Sequence, residues 1–441
     1  MSALGSLRYH LNVSLLGNAY LRLDRMKLDR QMRQPGFWKD EHLSPPLRVS
    51  PWLKELITRH YLKGRHANDR FKVAWVTSGG PVEFLTALGY YVLYPENHGA
   101  MCGIRRVSED LCGHAEAAGY SRDICSYART DIGSVLSGKT PAGRLPKPDL
   151  LLCCTNICQT VLYWYQVLAH HFRVPLILID TPFVYSEARD HDVAYVKKQL
   201  EHGVEVAEKT AGRSLGHKEL KETTLRSKDA VELWKRIIET GRHRPSPITA
   251  FDEFIHMAPI VEMRGEPFTV DYYAAMLDEL EERVAHDVGA VRNEKKRLLW
   301  DNLPIWYRVR QFSTLFAKQG VSLVASTYTN AWGELAEHID PERPIESAAK
   351  VYMYPILNRG TGDKFRTIRR MVKEYQADGV ILHSDRSCKP YSVGQMDQRR
   401  RLTDELHVPA LLLEADHNDP RCFSEEQALN RLGAFMEVLE G

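Results

Sequence analysis

Cysteine is scarce in this chain, with 8 residues among 441, too few for the disulfide framework on which small secreted folds rely. Charge of one sign is also lacking. The 59 Lys and Arg nearly balance the 57 Asp and Glu, for a formal net charge of +2. With no basic run or aromatic-basic stripe, this leaves no electrostatic footprint for nucleic acid. No apolar run approaches the roughly 20 residues needed to cross a bilayer. The opening MSALGSLRYHLNVSLLGNAYLRLDRMK has no uninterrupted apolar segment of the signal-peptide kind. These absences predict a cytoplasmic protein that meets neither membrane nor nucleic acid, in which the sequon at Asn12 has no meaning. Low-complexity segments and strong internal repeats are missing too, although a VP-L-L-D/E element occurs at both 174–180 and 408–416.

What is present is the composition of a globular enzyme, 44% hydrophobic and 26% charged, in a chain long enough for two or three domains. Residues 1–70 read as a helical N-terminal region, interrupted at Pro35 and Pro45-Pro46. Residues 71–185 read as a first α/β lobe. It contains KVAWVTSGG (72–80) as a strand and turn, VEFLTALG (82–89) as a helix, and YYVLYPEN (90–97) as the next strand. DLLLCCTN (149–156) and VPLILIDTP (174–182) follow as apolar runs of strand length. Residues 186–315 are charged and helix-periodic and read as a mainly helical connector. A second α/β lobe at 316–441 carries VSLVAST (321–327), GVILHSD (379–385) and VPALLLEAD (408–416), then a helix opened by Ser424. Apolar strands alternating with amphipathic helices predict parallel sheets covered on both faces.

Several short patterns invite a chemical reading. GSVLSGKT (133–140) has the spelling of a phosphate-binding loop, but that loop needs a helix after it. Pro141 and AGRLPKPD follow instead, so the expectation is an ordinary loop. Ser78 follows a strand with Glu96 and His98 near in sequence, yet no G-x-S-x-G elbow is present, and a serine before glycines is more often a turn residue. Cys153, Cys154 and Cys158 form no C-x-x-C pair, which argues against zinc. Cys102, Cys112, Cys153, Cys154 and Cys422 read as structural or surface thiols. Cys125, Cys158 and Cys388 differ, sitting in the polar, aromatic contexts ICSYAR, TNICQT and RSCKPYS. Soft thiolates gathered from distant parts of an intracellular chain hold a metal cluster more readily than a disulfide. Three of them would leave one corner of a four-iron cluster open; three unrelated structural thiols are the competing reading.

Seven blocks, in order and spacing, resemble one family. They are WVTSGGPVE (75–83), YPENHGAM (94–101), GYSRDICSYAR (119–129), TNICQT (155–160), LIDTP (178–182), LHSDRSCKPYSVGQ (382–395) and LLLEADHNDPR (411–421). Together they look like the 2-hydroxyacyl-CoA dehydratase and ATP-dependent benzoyl-CoA reductase family, over about residues 70–185 and 295–441. The N-terminal region and the last two blocks look most like the larger, B-type cluster-bearing subunit of benzoyl-CoA reductase.

The resemblance implies two Rossmann- or flavodoxin-like parallel-sheet lobes. It also implies a [4Fe-4S] cluster on Cys125, Cys158 and Cys388, with Ser78 and Glu96 facing its open iron. Glu96 becomes a candidate proton donor, because a desolvated carboxyl is protonated near neutral pH. Ser78 becomes a hydrogen-bond donor to developing charge. Each has a plainer reading, Glu96 as a cap or ion pair and Ser78 as a turn residue. His98 and His383 could protonate a ring, though each is more often a structural hydrogen-bonder. Lys389 could favour thiolate beside Cys388. The implied partners are a second cluster-bearing subunit, two activator subunits that hydrolyse ATP, ferredoxin and an aromatic acyl-CoA. The implied reaction reduces benzoyl-CoA to cyclohexa-1,5-diene-1-carbonyl-CoA in anaerobic aromatic degradation. The alternatives are a 2-hydroxyacyl-CoA dehydratase subunit using the same cluster, or a non-catalytic electron-transfer subunit.

Overall fold

The computed structural model describes residues 3–440. Eight strands form two four-stranded sheets, every pairing parallel. The first contains β1 (Val73–Val76), β2 (Tyr91–Leu93), β3 (Leu150–Cys154) and β4 (Leu176–Ile179), in the order β2-β1-β3-β4. The second contains β5 (Lys296–Asp301), β6 (Val321–Ser326), β7 (Gly379–Asp385) and β8 (Ala410–Ala415), in the order β6-β5-β7-β8. One topology is thus used twice, and the shared VP-L-L-D/E element marks its last strand, β4 in one sheet and β8 in the other. The chain reverses its strand order between β1 and β3 and again between β5 and β7. In open parallel sheets the crevice beyond the strand ends at such a reversal is where ligands gather.

The two lobes share a core. Trp75 of β1, Trp164, Trp300 of β5 and Ile381 of β7 belong to one apolar cluster, so the sheets bury facing surfaces against each other's helices. The far face of the first sheet is covered by helices Asp190–Ala211, His217–Glu239 and Pro267–Ala285, around Trp234 and Tyr273. The far face of the second lies under helix Thr361–Glu374, around Phe365 and Ile368. Among the described residues no helix is long and apolar enough to cross a membrane.

Three local expectations change. The strand expected over 90–97 ends at Leu93, and a helix, Pro95–Ile104, begins at once. Proline at the first helical position has its φ already set and no N–H to leave unpaired. Glu96 therefore stands in a helical first turn. The segment 186–315 is helical as far as Ala285 but then supplies β5, a central strand of the second sheet. KRLLWD begins with two cations, which hide its strand character. Arg297 is nevertheless fully buried, because it donates to the carbonyls of Tyr375 and His243 at 2.8 Å and pairs with Glu294 at 2.9 Å. Lastly, Gly133–Ser137 of the GSVLSGKT string is the last part of helix Ser126–Ser137, closed by Gly138 at φ 70°.

A buried ion pair clamps that helix to the second lobe. The Arg129 guanidinium donates to Asp419 at 2.8 Å and Glu116 at 2.7 Å, and both Arg129 and Asp419 are 1% exposed. Arg421 reaches the same two carboxylates, Asp419 at 2.7 Å and Glu116 at 2.6 Å, so removing Arg129 costs its hydrogen bonds and leaves neither acid without a cation. Arg129→Ala is therefore expected to lower stability by about 1–3 kcal/mol, read as a fall in the urea midpoint.

Candidate active site

Each of the three cysteines is the residue at which a helix begins. Cys125 caps Ser126–Ser137, Cys158 caps Gln159–Phe172, and Cys388 caps the short turn Lys389–Ser392. Cys158 and Cys388 occupy matching places, just beyond β3 and β7 at the two strand-order reversals. Neither Cys158 nor Cys388 makes a capping side-chain hydrogen bond, but the backbone N–H groups of Thr160 and Val161 pull the Cys158 thiol down and that of Tyr391 does the same for Cys388. Helix N-termini favour negative charge, so the chain has prepared these sulfurs for thiolate character.

All three line one cavity of about 140 Å³ between the lobes, together with Ser78 and Glu96. Its wall is aromatic, with Tyr127, Trp164, Tyr328, Trp332, Tyr352 and Tyr391, and none of its lining residues is Lys or Arg. The cavity is dry enough to oppose ionisation. Burial pushes the Cys158 thiol up to about 12, aided by neighbouring Cys125, and pushes Cys388 well above its ordinary value. The one cationic side chain on the wall, His417, is paired with Asp385, so the buried Cys158 and Cys388 thiols stay neutral; a coordinating metal reverses that preference outright. The donor set therefore fits a thiolate-bound metal group.

Glu96 enters the cavity from the first turn of its helix. Burial pushes its carboxyl up to about 8, against the pull of its own backbone N–H and that of Ser78. The Ser78 N–H donates to one carboxyl oxygen at 3.3 Å, and the other oxygen is buried without a partner. The Ser78 hydroxyl donates to Asn97 Oδ1 at 3.0 Å. Gly79 lets this turn lie against the Cys158 loop, since a Cβ there would meet Ile157 at 2.7 Å. Asn156 Nδ2 then bridges the Gly79 and Tyr352 carbonyls at 2.7 and 2.8 Å.

His98 does not reach the cavity. Two residues beyond Glu96 on the same helix, it faces another way, hydrogen-bonds Thr140 at 2.8 Å, and is held down to about 4 by burial. His383 is likewise turned away, bonded to the Leu303 carbonyl at 2.7 Å. Lys389 bonds the Arg386 carbonyl at the surface.

Sequence reasoning passed over His417. Its Nδ1 meets Asp385 at 2.7 Å, and its Nε2 meets Ser126 at 2.9 Å and the Cys125 sulfur at 3.9 Å. Burial opposes its charge, but Asp385 and Asp416 outweigh that and hold its pKa well above the ordinary range. The Ser126 N–H donates to Ser387 Oγ at 3.2 Å, and Ser387 donates to Asp416 at 2.6 Å. This network staples the Cys125 turn to the Cys388 loop. Asp385, Asp416 and His417 bring ligand atoms within 4.8 Å of one another, yet Asp416 is already satisfied by Ser387 and by the Asn418 and Asp419 N–H groups at 2.8 and 2.7 Å. The trio is a hydrogen-bonded brace. Its only trace in sequence is the polar tail that ends each apolar strand, HSDRS and EADHND.

A family model described as 2-hydroxyglutaryl-CoA dehydratase, D-component, matches residues 77–439, and the chain belongs to that family. The (R)-phenyllactyl-CoA dehydratase alpha subunit of Clostridium sporogenes is 32% identical over 403 residues, spanning 88% of this chain and 97% of that protein. The (R)-2-hydroxyisocaproyl-CoA dehydratase alpha subunit of Clostridioides difficile is 32% identical over 394 residues, 88% of this chain and 95% of that one. A benzoyl-CoA reductase subunit of Thauera aromatica is 28% identical over 406 residues, 88% and 93% respectively. The relatives are named as enzyme subunits, so the family works in multi-subunit assemblies.

The phosphate-loop spelling has a packing explanation. A Cβ on Gly133 would run into the Leu111 carbonyl of the neighbouring helix Ser108–Ala117. Gly133→Ala is expected to cost about 1–3 kcal/mol through overpacking. Denaturant unfolding should detect that loss, and equilibrium dialysis with ATP should detect no binding by either protein.

Proposed function

We propose that this chain is the iron–sulfur subunit of an ATP-dependent, ferredoxin-driven aromatic acyl-CoA reductase of the benzoyl-CoA type. A [4Fe-4S] cluster would be held by Cys125, Cys158 and Cys388, and when bound it would supply low-potential single electrons. The observation that carries this reading is a cavity where three helix-capping thiols, a neutral carboxyl and an aromatic wall meet. A flat aromatic acyl group suits such a wall. The lack of Lys and Arg on it disfavours an acyl chain with its own carboxylate.

The chain's residues have separable roles. The aromatic wall binds the acyl group and excludes water. Ser78, whose one hydroxyl proton rests on Asn97 Oδ1, would turn that proton to a thioester oxygen that gains charge. Glu96 holds a proton on its buried carboxyl and delivers it into the cavity. His417 and Ser387 keep the Cys125 and Cys388 turns in register. Partner subunits would bind and hydrolyse ATP, and a second family subunit would complete the assembly.

A second reading has support of its own. The phenyllactyl-CoA dehydratase relative, whose name specifies an aromatic acyl group, is 32% identical against 28% for the reductase. In that reading the same cavity would eliminate water from an aryl 2-hydroxyacyl-CoA with no net redox change. Electron counting with the purified complex separates the two. Two electrons consumed per benzoyl-CoA, with a dienoyl-CoA product, supports the reductase. Turnover of phenyllactyl-CoA on catalytic electrons, with benzoyl-CoA untouched, overturns it.

Two variants test the site itself. Cys388→Ala should lose iron and the cluster's EPR signal while the far-UV CD spectrum is kept; full iron content would refute the ligand set. Glu96→Gln should lower turnover by about 100-fold or more with iron content unchanged. Because burial raises the Glu96 carboxyl to about 8, wild-type turnover should fall as pH rises through that value. The same shift makes folding less favourable between about pH 4.3, where an unfolded Glu ionises, and 8, since only the unfolded chain releases its proton there. Glu96→Gln should flatten that slope in pH-dependent unfolding.

A further inference from the structure

Glu96 lies on the wall of two cavities. Behind it, away from the cysteines, a second cavity of about 350 Å³ is also lined by Asn97, Tyr61 and Glu262. It extends to Lys54, Thr58 and Arg105, which are exposed. This volume is ample for several ordered waters. Its wall is mainly apolar, as in the smaller cysteine cavity, but Lys54, Thr58, Tyr61, Asn97, Arg105 and Glu262 place polar groups along it. The second cavity therefore offers water room to reach, from the surface, the back of the one acid that the proposed mechanism needs.

We infer that the second cavity is a proton-supply route, and that Glu262 is the positioning acid that recharges Glu96 after each delivery. The inference rests on the proton-donor role given to Glu96 above. Glu262 is buried with no cation bound to it. Its Oε1 accepts the Tyr61 hydroxyl at 2.8 Å, and Asn97 hydrogen-bonds it from the Glu96 helix. The nearest guanidinium in sequence, Arg264, is committed to Glu83 at 3.0 Å and to the Tyr352 hydroxyl at 2.7 Å. Tyr91 also faces Glu262, and Arg59, His60 and Lys63 line the cleft on its other side.

Burial leaves Glu262 with a carboxyl raised to about 7, close to the value for Glu96. Two buried carboxyls of similar acidity can exchange a proton with little energetic cost in either direction. The transfer balances simply. Glu96 releases its proton into the site and becomes a carboxylate. Glu262 releases one proton through water in the second cavity, restoring the Glu96 carboxyl. Glu262 then takes one proton from solvent, and no electron moves.

The test uses the purified holo-complex. Glu262→Gln should lower kcat about tenfold or more, with KM for the acyl-CoA and iron content unchanged, and should raise the solvent deuterium isotope effect because recharging becomes slow. Glu262→Ala should behave likewise and be rescued by added formate, a diffusible acid small enough for the cavity. Tyr61→Phe gives a milder perturbation should the Glu262 variants fold poorly, and should raise the isotope effect in the same direction. Wild-type kcat and isotope effect in Glu262→Gln, or no formate rescue of a folded Glu262→Ala, overturns the relay. If those results come with an inactive Glu96→Gln, the role of Glu96 survives; if Glu96→Gln is itself fully active, that role fails first.

Discussion

Everything at the centre of this molecule depends on where three helices start. A residue that caps a helix must leave the helical path, and its side chain stands where the unpaired N–H groups of the first turn collect. Cysteine occupies that place at 125, 158 and 388. Two of these starts follow the strands at the reversals of two like sheets, and the third is bound to one of them through Ser126 and Ser387. Two lobes facing one another thus bring sulfurs from distant parts of the chain into one cavity, each at the positive end of a helical turn.

Electrostatics then divides the labour. The same burial that would keep isolated thiols protonated also keeps Glu96 protonated. Backbone N–H groups stand beside Cys158, Cys388 and Glu96 alike. The groups differ in chemistry, because a sulfur would take a metal group as its cation, while Glu96 keeps one oxygen with no partner. One apolar enclosure can therefore hold a thiolate-bound group and a neutral acid side by side. The charge it does contain, on His417, is matched by Asp385 and Asp416, leaving the aromatic surface without an unpaired charge.

Much of this was legible in the chain before folding. Seven of the eight strands stand out as apolar runs ended by turns, because parallel strands buried on both faces must be apolar throughout. The block spelling pointed to the family without any three-dimensional information. β5 was hidden because Lys296 and Arg297 open it, and a buried guanidinium reads as surface until its carbonyl partners are known. The strand assigned to 90–97 ran too far because the apolar tyrosines lead directly into Pro95, which starts a helix and turns Glu96 toward the cavity. His98 looked equivalent to Glu96 in sequence, and helical geometry sends the two side chains to different places.

The sequence by itself determined the two parallel-sheet lobes, the family and the identity of the three unusual cysteines, since all three rest on local pattern: period, turn chemistry and spelling. Only the tertiary structure decided that those cysteines share a cavity with Ser78 and Glu96, that His417 braces them, and that Glu262 stands behind Glu96. These are relations between segments far apart in the chain, set by how one lobe packs on the other. Burial also fixes which carboxyl stays neutral, and burial is a property of the packed whole that no stretch of sequence carries alone.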